Sequence, residues 1–201
     1  MFDALIIGGG AAGLQCALVL GSAKGKPFSE NKHIGIIAHQ KTSHLQTALF
    51  NNVLGLSPGT TGESILNLGK AQLKTLYPHI EQIENEKVLE LSKTEDIFNI
   101  KTNKHTYKAK LVVVAVGYTN LMTIKGLEPY MEPHPRAAIE KDRIWLKNVD
   151  HLVDENLYVA GSLAGWRSQF AICAGSGAHV ATDILTLWNG GKHVKVHDKI
   201  G

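Results

Sequence analysis

Ala4, Leu5, Ile6 and Ile7 run without a polar break into Gly8, Gly9, Gly10, Ala11, Ala12 and Gly13, and from there into an Ala- and Leu-rich stretch that lasts to about Ser22. Four apolar residues bounded by glycines read as a buried parallel strand, and the stretch after them as a helix that Gly25 and Pro27 break. Glycines at positions 8, 10 and 13 of such a strand–turn–helix each have a physical task. Gly8 permits the tight turn out of the strand, Gly10 lets backbone approach a pyrophosphate, and Gly13 lets the helix pack close to the strand. The helix amino terminus then aims free N–H groups and a positive dipole end at the phosphates. With a strand before it and a helix after it, the motif predicts a dinucleotide site.

Which dinucleotide is a separate matter. An acidic residue at the end of the second strand would hold a ribose hydroxyl, but that end reads Ile37, Ala38, His39, Gln40. The simplest NAD reading is weakened. Lys41 could receive a 2′-phosphate, although a solvated loop lysine is the blander explanation.

Working outward, His33 to Ala38 reads as a second buried strand and Ser64 to about Leu76 as a helix with apolar residues at Ile65, Leu68, Leu73 and Leu76. Val88 to Leu91, Ile97 to Thr102 and Thr106 to Lys108 form an antiparallel meander, with Phe98 and Ile100 alternating with polar neighbours. Leu111 to Val116 is the most hydrophobic run and predicts a central strand ended by Gly117. Pro129, Pro133 and Pro135 argue for an irregular connection, within which Arg143 to Leu146 has strand alternation. Leu157 to Ala160 is another short parallel-type strand, and Gln169 to about Trp188 a helix stopped by Asn189, Gly190 and Gly191. The expected architecture is an α/β, three-layer, Rossmann-like fold with a central parallel sheet and a small antiparallel meander. It forms one domain of residues 1–201, built from 1–117 and 157–191 and joined by 118–156.

Composition bounds the function. A chain of 201 residues, 44% hydrophobic and 19% charged, suits one substantial core. The formal charge of +3 is spread out and the lysines are not interleaved with aromatics, so nucleic acid is not an expected partner. No uninterrupted apolar stretch is read as long enough to span a bilayer, and the start lacks the basic region of a signal peptide; no membrane association and a cytoplasmic setting are expected. Cys16 and Cys173 form no CxxC and no zinc spacing, which fits a reducing compartment and predicts no metal site.

The Gly8 to Gly13 motif, the loop from Ser43 through Thr47 to Asn52 and Gly55, Thr61 and Gly62, the strand ending at Gly117, and Val159 to Gly161 through Gln169 to Gly177 together resemble the FAD domain of low-molecular-weight thioredoxin reductases. The likeness covers nearly the whole chain in order, and it implies FAD as cofactor. Gly8, Gly10, Ala11, Ala12 and Gly13 would face the pyrophosphate, and Ala38 and His39 the adenosine side. Ser43, Thr47 and Asn52 would lie on the flavin side. Ala115, Val116 and Gly117 would form the crossing strand end, with Gly161 and Ser162 at the ribitol and pyrophosphate. Gln169 and Phe170 would lie beneath the pyrimidine edge of the flavin, where a helix amino terminus favours negative charge by about 0.3–2 kcal/mol. A homodimer is also implied.

Three departures limit what transfers. The family carries an NADPH domain between the central strand and the final flavin segment, whereas about forty residues join Gly117 to Gly161 here, against the hundred or so of a domain. The family's redox-active cysteine pair belongs to that domain. Its usual Gly-Asp is Gly161-Ser162 here, replacing a charged acceptor by a neutral one and weakening FAD binding by about 1–2 kcal/mol.

The remaining reactive side chains have bland readings beside the functional ones. Cys16 reads as a small buried hydrophobe, and Cys173 lies one turn along the last helix, where a redox role is a minority reading. His134 reads as a surface histidine rather than an acid or base. Trp166 and Arg167 either cover the flavin ring, bind an acidic substrate, or simply pack; with Cys173 they are the candidate catalytic residues. Three functions follow: an FAD-dependent oxidoreductase fed by a diffusible reductant or an electron-donor protein, a non-catalytic FAD-binding subunit, or a nicotinamide-binding protein without flavin.

Overall fold

The computed structural model describes residues 1–39, 45–118 and 123–196. In chain order its elements are β1 (Ala4–Ile7), α1 (Ala11–Ser22), β2 (Ile34–Ala38), β3 (Leu49–Phe50), β4 (Thr60–Thr61), α2 (Gly62–Leu76), β5 (Ile80–Glu84), β6 (Val88–Thr94), β7 (Ile97–Thr102) and β8 (Thr106–Ala109). Then come β9 (Val112–Val114), β10 (Met131–Pro133), β11 (Ile144–Leu146), β12 (Leu152–Asp154), β13 (Leu157–Val159) and α3 (Phe170–Trp188). A 3-10 turn at Gly161–Ala164 connects the last two.

The central sheet runs β12-β13-β9-β1-β2-β5, parallel except for β12. Ile7 pairs with Ile37 on one side and Val114 on the other, and Val114 with Val159. Strands covered on both faces bury every side chain, which is why β1, β2 and β9 are unbroken apolar runs. Successive residues point to opposite faces. Ala4, Ile6, Ile34, Ile36 and Val113 pack against Leu14, Ala17 and Leu20 of α1 and Val180, Ala181 and Ile184 of α3. Leu5, Ile7, Ile37, Val112 and Val114 pack against Leu91, Phe98 and Ile100 of the β6-β7-β8 meander. Helices, parallel sheet and meander are the three layers the sequence predicts.

Two expectations are corrected. The segment 118–156 is not simply irregular: β10 and β11 form an antiparallel pair in which Pro133 stands opposite Ile144, and β12 adds an antiparallel edge to the main sheet. Proline closes β10 rather than interrupting it, which a strand end allows. A strand was not expected at β5, where Ile80 and Ile83 are buried and Glu81 and Glu84 exposed; that spacing lacks the period of two, because an edge strand is covered unevenly. Finally, α3 has 19 residues and a mean hydropathy of 1.3, long and apolar enough by those measures to cross a membrane. Its Val180, Ala181, Ile184 and Leu185 are buried in the core beside α1.

Candidate functional site

Of the predicted site residues, Gly8, Gly10 to Gly13, Ala38, His39, Ala115 to Gly117, Gly161 and Ser162 follow the carboxyl ends of β1, β2, β9 and β13, where ligands sit in open α/β sheets. Gly8 has φ +116°, and a Cβ there would lie 2.4 Å from the Ala115 carbonyl oxygen. Its N–H donates to Ile37 O at 2.9 Å, and Ala115 N–H donates to Ile7 O at 2.8 Å, so this turn knits three strand ends together. A Cβ on Gly13 would meet Gly8 O at 1.8 Å, which is the close helix–strand approach the motif requires.

Gly10 is the amino-terminal cap of α1, with no side chain to offer and no acidic residue in the first turn. The N–H groups of Ala11, Ala12 and Gly13 have no intrahelical acceptor, so this end is built for an anion from outside the chain. Gly161, at φ +78°, would place a Cβ 3.0 Å from that of Ala12, and Gly177 would place one 2.0 Å from Ala12 O. Both halves of the motif therefore meet at Ala12. The residues present fit a pyrophosphate: glycine cradles that a Cβ would fill, and an uncapped helix end.

The Gly161 corner is held by residues that pattern reading passes over. Ser176 Oγ accepts the Gly161 N–H at 2.8 Å. His134 is buried, at 7% exposure, so the surface reading of this residue is corrected. Its Nδ1 accepts the Arg136 N–H at 3.1 Å, which leaves the proton on Nε2 to donate to Ser162 O at 3.0 Å. Arg136 donates to Gly165 O, and Asn148 Nδ2 to Ala164 O at 3.2 Å. The connection between the two halves is thus a clamp on the corner. Only the prolines flanking His134 hinted at rigidity there.

Where the resemblance puts a flavin, the Phe50 and Phe170 rings lie 5.2 Å apart, bringing the loop that carries Thr47 and Asn52, both exposed, to the start of α3. Ser43 lies outside the described residues. Gln169 is the cap of α3: its Oε1 accepts the N–H groups of Ala171 at 2.7 Å and Ile172 at 3.3 Å. The α3 amino terminus is therefore closed by its own side chain, unlike that of α1. Ala38 is buried at the end of β2 with His39 half-buried beyond it; Val116 is exposed and Gly117 has φ +91°.

Trp166 is 42% exposed with the Arg136 guanidinium 5.2 Å over its ring, and Arg167 is exposed beside it. Burial pushes the Cys173 thiol up, partly offset by a backbone hydrogen bond at Ser162, and its Sγ lies 3.7 Å from Arg167 O. A raised thiol is a poor nucleophile, which speaks against redox duty. Cys16 is fully buried, and burial pushes its thiol up as well. An open surface cleft of about 630 Å³ between α2 and β5, lined by Lys70, Lys74 and Gln82, does not include the glycine turn.

A parallel sheet turning through glycines into an uncapped helix, with a second helix crossing at a glycine contact, defines an FAD/NAD(P)-binding Rossmann-like protein. The chain belongs to the pyridine nucleotide-disulphide oxidoreductase family, which it matches over residues 2–168. No curated protein sequence matches it. Among solved structures it is similar to a thioredoxin reductase from Gloeobacter violaceus, with TM-score 0.74 and 12% identity over 100% of this chain and 98% of that one. It is also similar to an oxidoreductase from Agrobacterium tumefaciens, with TM-score 0.69 and 15% identity over 90% and 96%. A ferredoxin-flavin thioredoxin reductase from Clostridium acetobutylicum matches with TM-score 0.65 and 16% identity over 94% and 98%. The likeness is to the FAD domain: the short join from Gly117 to Gly161 has no room for an NADPH domain, and the two cysteines form no CxxC.

Proposed function

We propose that this chain is an FAD-dependent oxidoreductase whose electrons come from a partner protein or a diffusible reductant rather than from a nicotinamide bound in a domain of its own. The observation that carries the reading is the uncapped amino terminus of α1 set among the Gly8, Gly13 and Gly161 contacts, next to a join too short to house a nicotinamide. FAD, when bound, supplies the electron transfer. The chain's residues bind and orient it. The first turn of α1 takes the pyrophosphate, the strand end at Ala115 and Gly117 supports the crossing, and the loop of Thr47 and Asn52 flanks the ring. Because Gln169 Oε1 is committed to its own helix, its Nε2 is the group left to donate to the pyrimidine edge. Trp166 and Arg167 stand at the rim, where they meet a substrate or partner.

Support for a protein donor comes from the Clostridium neighbour, whose name couples ferredoxin to flavin. Free Cys16 and Cys173 suit a cytoplasmic setting, and a homodimer completes the reading. A second reading, an FAD-binding subunit without turnover of its own, is favoured by the raised Cys173 thiol and the missing cysteine pair. The two are told apart by anaerobic titration of the FAD-loaded protein. Bleaching by NADH or NADPH alone supports a diffusible reductant, bleaching only by a reduced donor protein supports a partner, and no bleaching by either leaves the subunit.

A further inference from the structure

Asp150 and His151, in the turn before β12, and His179 on α3 place three ligand atoms within 4.8 Å of one another. His151 is 3% exposed, yet its Nδ1 has no hydrogen-bond partner. The facing oxygen, Asp150 Oδ1, is 3.8 Å away, beyond hydrogen-bond reach. The other ring nitrogen is well placed: Nε2 lies 2.8 Å from Ser176 Oγ, which also accepts the Gly161 N–H. A proton on Nδ1 would face only the Asp150 carboxylate, across a gap longer than a hydrogen bond. With the proton on Nε2, donated to Ser176, Nδ1 presents a lone pair toward Asp150 and His179. A histidine that binds a metal through one ring nitrogen commonly donates the N–H of the other to a neighbouring oxygen, the place Ser176 Oγ takes here.

The neighbouring groups complete a donor set. His179 Nε2 is 3.5 Å from Asp150 Oδ1 and 3.2 Å from Asp183 Oδ2, one turn further along α3. Ligands of a tetrahedral ion at about 2.0–2.2 Å stand about 3.3–3.6 Å apart. We propose that Asp150, His151 and His179 bind a divalent transition-metal ion of the Zn2+ class, with Asp183 as the flanking carboxylate. Two imidazoles with a carboxylate select Zn2+, Co2+, Ni2+ or Cu2+ over Mg2+ or Ca2+. The Asp150 and His179 side chains are 74% and 46% exposed, so the ion enters from solvent. Once bound it ties the turn before β12 to α3 and, through Ser176, to the Gly161 corner.

The test uses untagged, chelator-stripped protein titrated calorimetrically with Zn2+ alone, with Co2+ as a visible probe. One equivalent of Zn2+ is expected, and exposed-residue variants His179→Ala and Asp150→Asn should each weaken it by more than about 100-fold, since even outer-shell changes cost 10–100-fold. Co2+ should give ligand-field bands that both variants lose, while their metal-free melting temperatures stay at the parent value. Absence of Zn2+ binding, or binding that persists in either variant, overturns the proposal. Flavin content is read separately on the same samples.

Discussion

Gly8 combines a left-handed φ with a carbonyl 2.4 Å from where a Cβ would stand. Gly8→Ala should therefore move the β1–α1 turn and yield protein that purifies without bound FAD, read as the visible-to-ultraviolet absorbance ratio against the parent. Gly177 is tight for a different reason, since its missing side chain lets α3 cross Ala12. Gly177→Ala should destabilise the fold by about 1–3 kcal/mol through overpacking, measured by urea unfolding. Ser162 is where the family places a charged acceptor. Ser162→Asp should tighten FAD binding by about 5–30-fold, the equivalent of 1–2 kcal/mol, in a fluorescence titration; unchanged affinity would place the ribitol elsewhere. The glycines could be found in the sequence because each is tied to a turn or to a close approach of backbone. His134, Ser176 and Asn148 could not, because their value comes from carbonyl and N–H partners that only folding brings close.

At the scale of elements, the β5–β6 connection and the β7–β8 hairpin share a buried carboxylate. Glu86 accepts hydrogen bonds from Thr102 Oγ1 at 2.7 Å, His105 Nδ1 at 2.8 Å and the Tyr107 hydroxyl at 3.0 Å. Burial pushes this carboxyl up, but the three hydrogen bonds outweigh it and hold it below its ordinary value of 4.5. Burial and the same carboxylate push the Tyr107 hydroxyl up to about 12. A carboxyl lowered in the folded state stabilises it fully above pH 4.5, and that contribution is lost as pH falls through the lower folded value. Urea unfolding should show Glu86→Gln weaker than the parent at pH 7 by about 1.5–3 kcal/mol. The gap should narrow below pH 4.5, and a gap independent of pH would refute the charge argument. The elements legible in the sequence are those with a simple covering: β1, β2 and β9 are buried on both faces and read as apolar runs. Less legible were β5, β10 and β12, which are short or lie at an edge, so no single period describes them. The proposed metal ligands escaped for a related reason, since 27 residues lie between His151 and His179 and only the contacts of the turn before β12 with α3 join them.

For the whole molecule, both ends of the chain enter one sheet: β1 stands beside β9, and β9 beside β13. A domain that elsewhere supplies a nicotinamide has no place between them; in the function proposed above, the fold keeps the flavin half of a two-cofactor design and takes its electrons from outside. The proposed function depends on FAD seating at the α1 amino terminus. The most direct measurement is the visible absorption spectrum of the purified protein after incubation with FAD and removal of unbound cofactor. The account predicts a yellow protein carrying one FAD per chain, with that colour missing from Gly8→Ala. A colourless protein that FAD fails to reconstitute would contradict it.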